Sequence, residues 1–577
     1  MCERVLRVAC VVAVLGGSAA AQNAATVAER REALAIARDL RALAESVLGE
    51  DQPPEISSNT PVEQLLARLG RPAARRESPG LEPADLDRLI EAAQLARGEQ
   101  PAPRLDDAAW LRRVYLDLTG IPPTPEQIAV FVADPAPDKH ARQVDQLTAS
   151  EAFARHWARY WRDVISARAT SENARLLNFD TFEQWLTQAL LENRPWDAIA
   201  REILTATGDA TESGATALVL AHTNNLRVQP AELAGEASRI FLGIQIACAQ
   251  CHDHPTDRWT QRQFHELTAF FAGTAVRRPN REQPLRRVVF DRPGSPRHGL
   301  PDKDDPNRTT PVAPRFFLDG SAADLPRLTS AQARALAASY FTGPDNPWFA
   351  RALVNRVWYA LTGQAFYLPI DDLGPDRNPE DPEILDALAE AFTRSGYDLR
   401  WLYRTIAQTD HYRRERPPAR LRADALFDAL VRALDLPLEG LAGRVGRNNG
   451  NTAPQVPAAV RGRFSPRQLF TTLFQADPSL PEDELLGTIP QALFLMNGPQ
   501  VHRATTAGPR TLLGRMLPQY PDNAKLLDAL YLRVLARHPN PEEQRIALDY
   551  VRQVGNRREA FEDILWALVN SAEFLNR

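Results

Sequence analysis

VYLDLTGIPPTPEQ, Val114–Gln127, reads as a helix that stops at a proline-containing turn and a second helix that restarts at once. In the restart, Thr124-Pro125-Glu126-Gln127, the Thr124 oxygen can cap the new helix. Pro125 suits its first position, and Gln127 can close the box from three residues on. The same sentence recurs near the other end as LYLRVLARHPNPEEQ, Leu530–Gln544, restarting at Asn540-Pro541-Glu542-Glu543. The first copy runs on to SEAF at Ser150–Phe153 and the second to NSAEF at Asn570–Phe574. Two copies are too few for a solenoid. They read as a reused helix-turn-helix packing unit rather than as two equivalent binding sites. Tyr115, Leu116 and Leu118, like Tyr531, Leu532 and Leu535, need apolar partners, which favours one helical body over two hinged lobes.

The expected fold class is mainly α: a multi-helical body with a polar, partly irregular insert that has room for a few short strands. Residues 1–21 are read as a signal peptide and 22–82 as a polar helix and linker. Residues 83–275 form a helical domain, 276–330 a polar, Pro- and Arg-rich insert, and 331–577 a C-terminal helical domain. Within the insert, Val288-Val289-Phe290 and Arg315-Phe316-Phe317-Leu318 are the strand candidates. A Gly-, Asn- and Pro-rich stretch at 443–457 interrupts the last domain.

The 577 residues carry a formal net charge of −5, so no basic field invites nucleic acid. Arg4 and Arg7, the apolar run Val8–Leu15 and the small residues Ala19-Ala20-Ala21 have the layout of a secretory signal, with Gln22 as the mature start. No later run is apolar over the roughly 20 residues that a membrane helix needs. The chain is therefore expected in the periplasm or at the cell surface. Cleavage would remove Cys2 and Cys10, leaving Cys248 and Cys251 in an oxidising compartment, where thiols are bridged, metal-bound or modified.

Those two cysteines lie in ACAQCHDHP, directly after an apolar helix that starts at Pro230. Cys248, Cys251 and His252 make the C-x-x-C-H pattern of c-type haem attachment. Two thiols add to the two porphyrin vinyl groups, and the adjacent histidine then lies under the iron as an axial ligand. Two other readings stay open: a Cys248–Cys251 disulfide, and a zinc or iron site in which His254 joins the other three. Asp253 and Asp257 are candidates to support the ligands. Only Met496 and Met516 remain in the mature chain, both far from the motif, so a sixth haem ligand is expected to be a histidine. His156, His222, His254 and His265 are the nearer ones, with His254 too close to reach the opposite face.

FLGIQIACAQCHDHPTDRWTQRQFHELTAFFAG, Phe241–Gly273, closely resembles the planctomycete cytochrome-like exported domain, domain of unknown function 1549. RLDDAAWLRRVYLDLTGIPPTPEQ and HWARYWRDV resemble its N-terminal part. NPWFARALVNRVWYALTGQ, SGYDLRWLYRTIAQTDHYRR, IPQALFLMN and LWALVNSAEF resemble domain of unknown function 1553, which follows it. The resemblance spans roughly residues 85–575. It implies an exported protein with one covalent haem c and supplies no known reaction. Relatives often carry a separate cytochrome c domain, and no second C-x-x-C-H occurs here.

Other constellations are weaker. His156, Trp157, Tyr160 and Trp161 form two i,i+4 pairs that could wall a haem pocket but more often mark core. Trp259 and Phe270-Phe271 flank the motif and could serve either way. Asn355, Arg356 and Trp358 read as a buried network satisfying loop carbonyls. Asp371, Asp372 and Asp376 form an acidic loop, read as solvated carboxylates rather than a calcium site. Arginines 277, 278, 281, 286 and 287 read as a solvated basic patch. The expected function is a mono-haem redox or electron-transfer protein of the cell envelope, meeting a redox partner or envelope protein. The rivals are a helical scaffold stapled by a disulfide, and a metal-dependent hydrolase of polysaccharide centred on His252 and His254.

Overall fold

Both helix restarts form as reciprocal caps. The Thr124 hydroxyl accepts from Gln127 N at 3.2 Å, while the Gln127 side chain accepts from Thr124 N at 2.8 Å. Asn540 and Glu543 exchange the same two bonds, each at 2.8 Å. Each box satisfies two of the N–H groups that a helix start leaves without intrahelical partners.

The structure, a computed structural model, describes residues 80–169, 180–280, 286–302, 305, 308–320, 328–436, 466–474, 476–480 and 487–577. The segment read as a signal peptide, nearly all of the 22–82 segment, Arg281 and the 443–457 stretch lie outside them. The described residues belong to one compact unit, Leu65–Arg577, and are mainly helical. In chain order the first helices are α1 (Pro83–Arg97), α2 (Asp107–Thr119), α3 (Pro125–Ala133), α4 (Lys139–Thr148), α5 (Glu151–Ser166), α6 (Asp180–Leu191), α7 (Trp196–Thr205), α8 (Ala217–Ala221), α9 (Pro230–Leu242) and α10 (Gln261–Ala269). After the insert come α11 (Ser330–Thr342), α12 (Pro347–Thr362), α13 (Pro382–Arg394), α14 (Leu399–Ala407), α15 (Ala423–Leu434) and α16 (Pro466–Phe474). The chain closes with α17 (Ile489–Asn497), α18 (Pro499–Thr505), α19 (Leu512–Gln519), α20 (Asn523–Leu535), α21 (Pro541–Val554), α22 (Arg557–Val569) and α23 (Ala572–Leu575). No described helix is long and apolar enough to cross a membrane.

The strands are short. β1 (Gly208–Asp209), β5 (Val288–Asp291) and β4 (Thr274–Arg277) form an antiparallel sheet in that order. β2 (Thr223–Asn224) pairs with β3 (Arg227–Val228), and β6 (His298–Pro301) with β7 (Thr309–Val312). The strand expected at 288–290 is β5. The one expected at 315–318 does not form: Arg315 alone is in a β-bridge, and a turn follows at 317–319. The reason is burial: Phe316 and Phe317 are both buried, whereas successive residues of a strand point to opposite faces. Phe316 stacks on Tyr340 at 5.3 Å and Phe317 meets Trp259 edge-on at 5.0 Å.

α5 is the spine. Its apolar positions Phe153, Trp157, Tyr160, Trp161 and Val164 recur at helical spacing, and all are buried. Trp157 meets Tyr403 of α14 at 4.4 Å, and Trp161 meets Trp196 of α7 at 4.5 Å. The polar edge of α5 is equally occupied: Arg159 and Arg162 bridge Glu183 of α6 to Asp424 and Asp428 of α15. Leu116 of α2 joins the same apolar cluster as Leu530, Tyr531 and Phe574, so the two copies of the repeated unit share one core.

Candidate functional site

α9 delivers the cysteine motif. It stops at Gly243, whose φ of 68° suits glycine. A side chain there would also collide with Leu373, since a Cβ would lie 2.8 Å from its Cδ1. Residues Ile246–Gln250 then form a 3₁₀ turn. In a 3₁₀ turn, side chains at i and i+3 eclipse. Ile246 and Ala249 accordingly point inward and are buried, while Cys248 and Cys251 share the outward face as exposed free thiols. The C-x-x-C spacing thus places two sulfurs on one exposed face.

His252 follows, also exposed. Its Nδ1 lies 2.7 Å from the main-chain carbonyl of Asp253. A carbonyl oxygen only accepts, so Nδ1 carries the proton and Nε2 keeps its lone pair. That is the tautomer an Nε2 metal ligand needs, with the second nitrogen bound to a carbonyl. His254 is folded into its own turn: its Nδ1 accepts from Thr256 N at 3.3 Å, and its N–H donates to Trp259 O at 2.8 Å. Among the described residues, no group of three or more His, Cys, Asp or Glu is disposed to hold a metal ion.

The floor of the motif is α10. Gln261 and His265, one turn apart, donate to the Gln250 carbonyl at 3.4 and 3.1 Å, and Gln261 also reaches the Cys251 carbonyl at 3.1 Å. With Nε2 of His265 donating, its Nδ1 must accept, and His298 Nε2 on β6 supplies the proton at 2.8 Å. Burial, reinforced by His265, pushes the His298 imidazole down to about 4. Asp253 accepts from Gln261 N at 2.9 Å. Neither Asp253 nor Asp257 uses its carboxylate on His252.

The far wall comes from the loop between α12 and α13. Leu373 N donates to Gly243 O at 2.7 Å. Asp376 accepts from Arg258 Nε at 2.8 Å, and Arg377 reaches the Thr256 carbonyl at 3.3 Å. Burial and then the Asp376 carboxyl raise Asp257, while Arg258 and then Asp257 hold Asp376 below the usual carboxylate range. Asp371 is fully buried, not solvated as the sequence suggested. It takes Arg239 Nη1 of α9 at 2.8 Å and Gln245 Nε2 at 3.2 Å. Burial opposes its ionisation, but Arg239, Arg356 and Arg168 outweigh it and hold the carboxyl low. Arg239 also takes the Val164 carbonyl of α5 and the Ser479 hydroxyl, each at 3.0 Å.

Other sequence candidates sit elsewhere. Asn355 has the expected role: it donates to the Tyr367 and Ile370 carbonyls and accepts from Phe366 N and Tyr367 N. Trp259, Phe270 and Phe271 are buried, and the Trp259 Nε1 has no hydrogen-bond partner. His156 lines a cavity beside α5 and packs so closely on Gly120 that a Cβ there would collide with its Nδ1. His222 is fully buried with no partner at either ring nitrogen, its imidazole pushed down to about 3 by burial and then by Arg239. The donors that fit covalent haem are therefore Cys248, Cys251 and His252: two accessible thiols on one face and an imidazole with a free Nε2.

Two family models match this chain. PSCyt2, protein of unknown function (DUF1549), matches residues 85–276, and PSD1, protein of unknown function (DUF1553), matches residues 333–442. Together they take in about half of the chain. No curated protein and no solved structure matches it. The first match contains α9, the cysteine turn and α10, and the second contains Asn355, Asp371 and Asp376, so the wall of the motif is built by the pair. The chain belongs to the family of proteins in which a PSCyt2 domain is followed by a PSD1 domain.

Proposed function

We propose that this chain is an exported mono-haem c-type redox or electron-transfer protein of the cell envelope. Cys248 and Cys251 are its thioether anchors and His252 its axial ligand. One observation carries the reading: His252 Nδ1 is tied to the Asp253 carbonyl at 2.7 Å, one residue after a pair of free, exposed thiols. Bound haem would supply a one-electron iron centre.

The chain's own part is positional. The 3₁₀ turn sets both sulfurs outward. Gln261 and His265 fix the Gln250 carbonyl behind them, and the Asp253 carbonyl fixes the imidazole tautomer. An attachment site open to solvent suits exchange of electrons with a protein partner better than chemistry in a sealed pocket.

The test is mass spectrometry and visible absorption of the mature chain made in a host with a haem-attachment system. The expected result is the mass of one haem, retained after denaturation and lost in Cys248→Ser/Cys251→Ser. An intact Cys248–Cys251 disulfide without haem from such a host overturns the proposal.

A further inference from the structure

Beside α5, and separate from the cysteine motif, lies a cavity of about 270 Å³. Its walls include Trp157, Tyr160, Tyr359 and Phe474, with Arg422 and His156 among the polar groups. Arg422 is anomalous. Its Nη1 and Nη2 are buried and have no hydrogen-bond partner, and its Cζ lies 4.7 Å over the Tyr160 ring. A buried guanidinium is stable only when paired and hydrogen-bonded.

The carboxylates nearby are already committed. Asp117 takes Arg416 at 2.8 Å, Arg577 at 2.8 Å and the Tyr412 hydroxyl at 2.7 Å. Asp163 takes Arg162 at 2.7 Å. Trp157 Nε1 is a second buried donor without a partner. Burial first, then Arg422 and Arg159, press the His156 imidazole well below its ordinary range, with Asp424 opposing.

We propose that this cavity binds a small organic carboxylate with an apolar or aromatic body, its carboxylate received by the free fork of Arg422. The guanidinium fork matches a carboxylate in two parallel hydrogen bonds. The aromatic walls suit an apolar body, as in most small-molecule sites. A volume of about 270 Å³ admits a molecule the size of phenylacetate and no large cofactor. Inorganic phosphate has no apolar body to fill the walls made by Trp157, Tyr160, Tyr359 and Phe474.

The test is binding calorimetry on the full mature chain with phenylacetate, benzoate, the neutral isostere benzamide, and inorganic phosphate. The expected result is saturable binding of at least one aromatic acid, one per chain, with benzamide weaker by at least about tenfold. Arg422→Gln should lose about tenfold or more in affinity, and Arg422→Lys, which keeps the charge without the fork, should lose several-fold. The visible spectrum of the cysteine-motif site should not change on binding. If Arg422→Gln does not fold, the wild-type comparison of benzoate with benzamide decides, together with Trp157→Phe, which should weaken binding and keep the fold. No binding of either acid, equal binding of benzamide, tighter binding of phosphate, or undiminished binding by Arg422→Gln would each overturn the proposal.

Discussion

The Arg239 guanidinium and the Asp371 carboxylate meet at 2.8 Å, 132 residues apart in the chain and both sealed from solvent. Arg239 belongs to the helix that ends at the cysteine turn, and Asp371 to the loop that walls it. The pair thus locks the PSCyt2 helix onto the PSD1 loop, and Gly243 with Leu373 repeats the contact one turn on.

Asp371→Ala should therefore cost about 1–3 kcal/mol, because it takes one of two carboxylates from a buried guanidinium that keeps Glu236 at 2.6 Å. The double change Arg239→Met/Asp371→Leu should cost less than the sum of its singles. Chemical denaturation checks both. The sign of the pH effect follows from the lowered Asp371 carboxyl. Its stabilisation is present above the ordinary carboxylate range and is lost as pH falls through the lower, folded-state value. A single Asp371→Ala loss under about 1 kcal/mol would contradict the clasp.

Much of this molecule was legible because the signals are local. The boxes at Thr124 and Asn540 need only four residues each, and Asn355 announced itself as a polar group amid Leu353, Val354 and Val357. The clasp was not legible, because its partners are 132 residues apart and an acidic loop reads as solvated until its cations are placed. One signal was available: Arg239 sits on a helix whose neighbours Leu233, Ala237, Ile240 and Phe241 are all buried, so its guanidinium needed acceptors beyond Glu236 on its own helix. The C-x-x-C-H motif was readable as a pattern, but the support its turn takes from His265 and His298 was not. His298 lies on a strand of the insert, and nothing in its local pattern points back to Gln250. The tandem Phe316-Phe317 misled because apolar, aromatic runs favour strands, whereas here both rings are buried where the chain enters a turn.

Free thiols on one face make a direct chemical prediction. A chain beginning at Gln22, made in a reducing cytosol without haem attachment, should titrate two thiols with a thiol-exchange reagent in the absence of denaturant. Both should react fast, since Cys248 and Cys251 are exposed. Ile246→Asp, which forces a charge into the buried face of the same turn, should unseat the turn and lower haem incorporation. Slow reaction of both thiols until denaturant is added would show that the turn is not presented as described.

Histidines held neutral by the fold set an acid limit, among them fully buried His222 and partly buried His298 and His411. Burial and then His265 push His298 down to about 4. Burial, then Arg414 and Arg416, push His411 to about 4, where its ring stacks on Trp358 at 5.7 Å. His222 is pushed to about 3. Each is neutral when folded and would take a proton more readily when unfolded. Stability should therefore be full above the ordinary histidine value of about 6.5 and decline as pH falls from there toward 4. His411→Gln should flatten part of that decline, measured as melting temperature against pH. A flat profile between pH 6.5 and 4.5 would rule out imidazoles held neutral by the fold.

The parts of the chain on either side of the insert are held together by a shared core. Leu116, in the first copy of the repeated unit, is packed in one apolar cluster with Leu530, Tyr531 and Phe574 of the second. Polar ties run the same way. Arg112 of α2 donates to the carbonyls of Val534 at 3.4 Å and Glu573 at 3.0 Å, and Arg577 pairs with Asp117 at 2.8 Å. Arg113 reaches the Tyr412 carbonyl at 3.1 Å, and Leu421 N donates to Leu575 O at 2.9 Å. A helix-turn-helix unit of this size cannot bury its apolar face alone, so each copy depends on the other across the whole chain. Cutting the insert should leave these contacts intact. A protease site built in at Gly320, which is exposed with open space where a Cβ would lie, should be cleaved without change in melting temperature beyond a few degrees. The two fragments should co-elute on sizing under native conditions and part only in denaturant. Fragments that separate natively and each melt cooperatively would mean that the shared core around Leu116 does not hold the halves together.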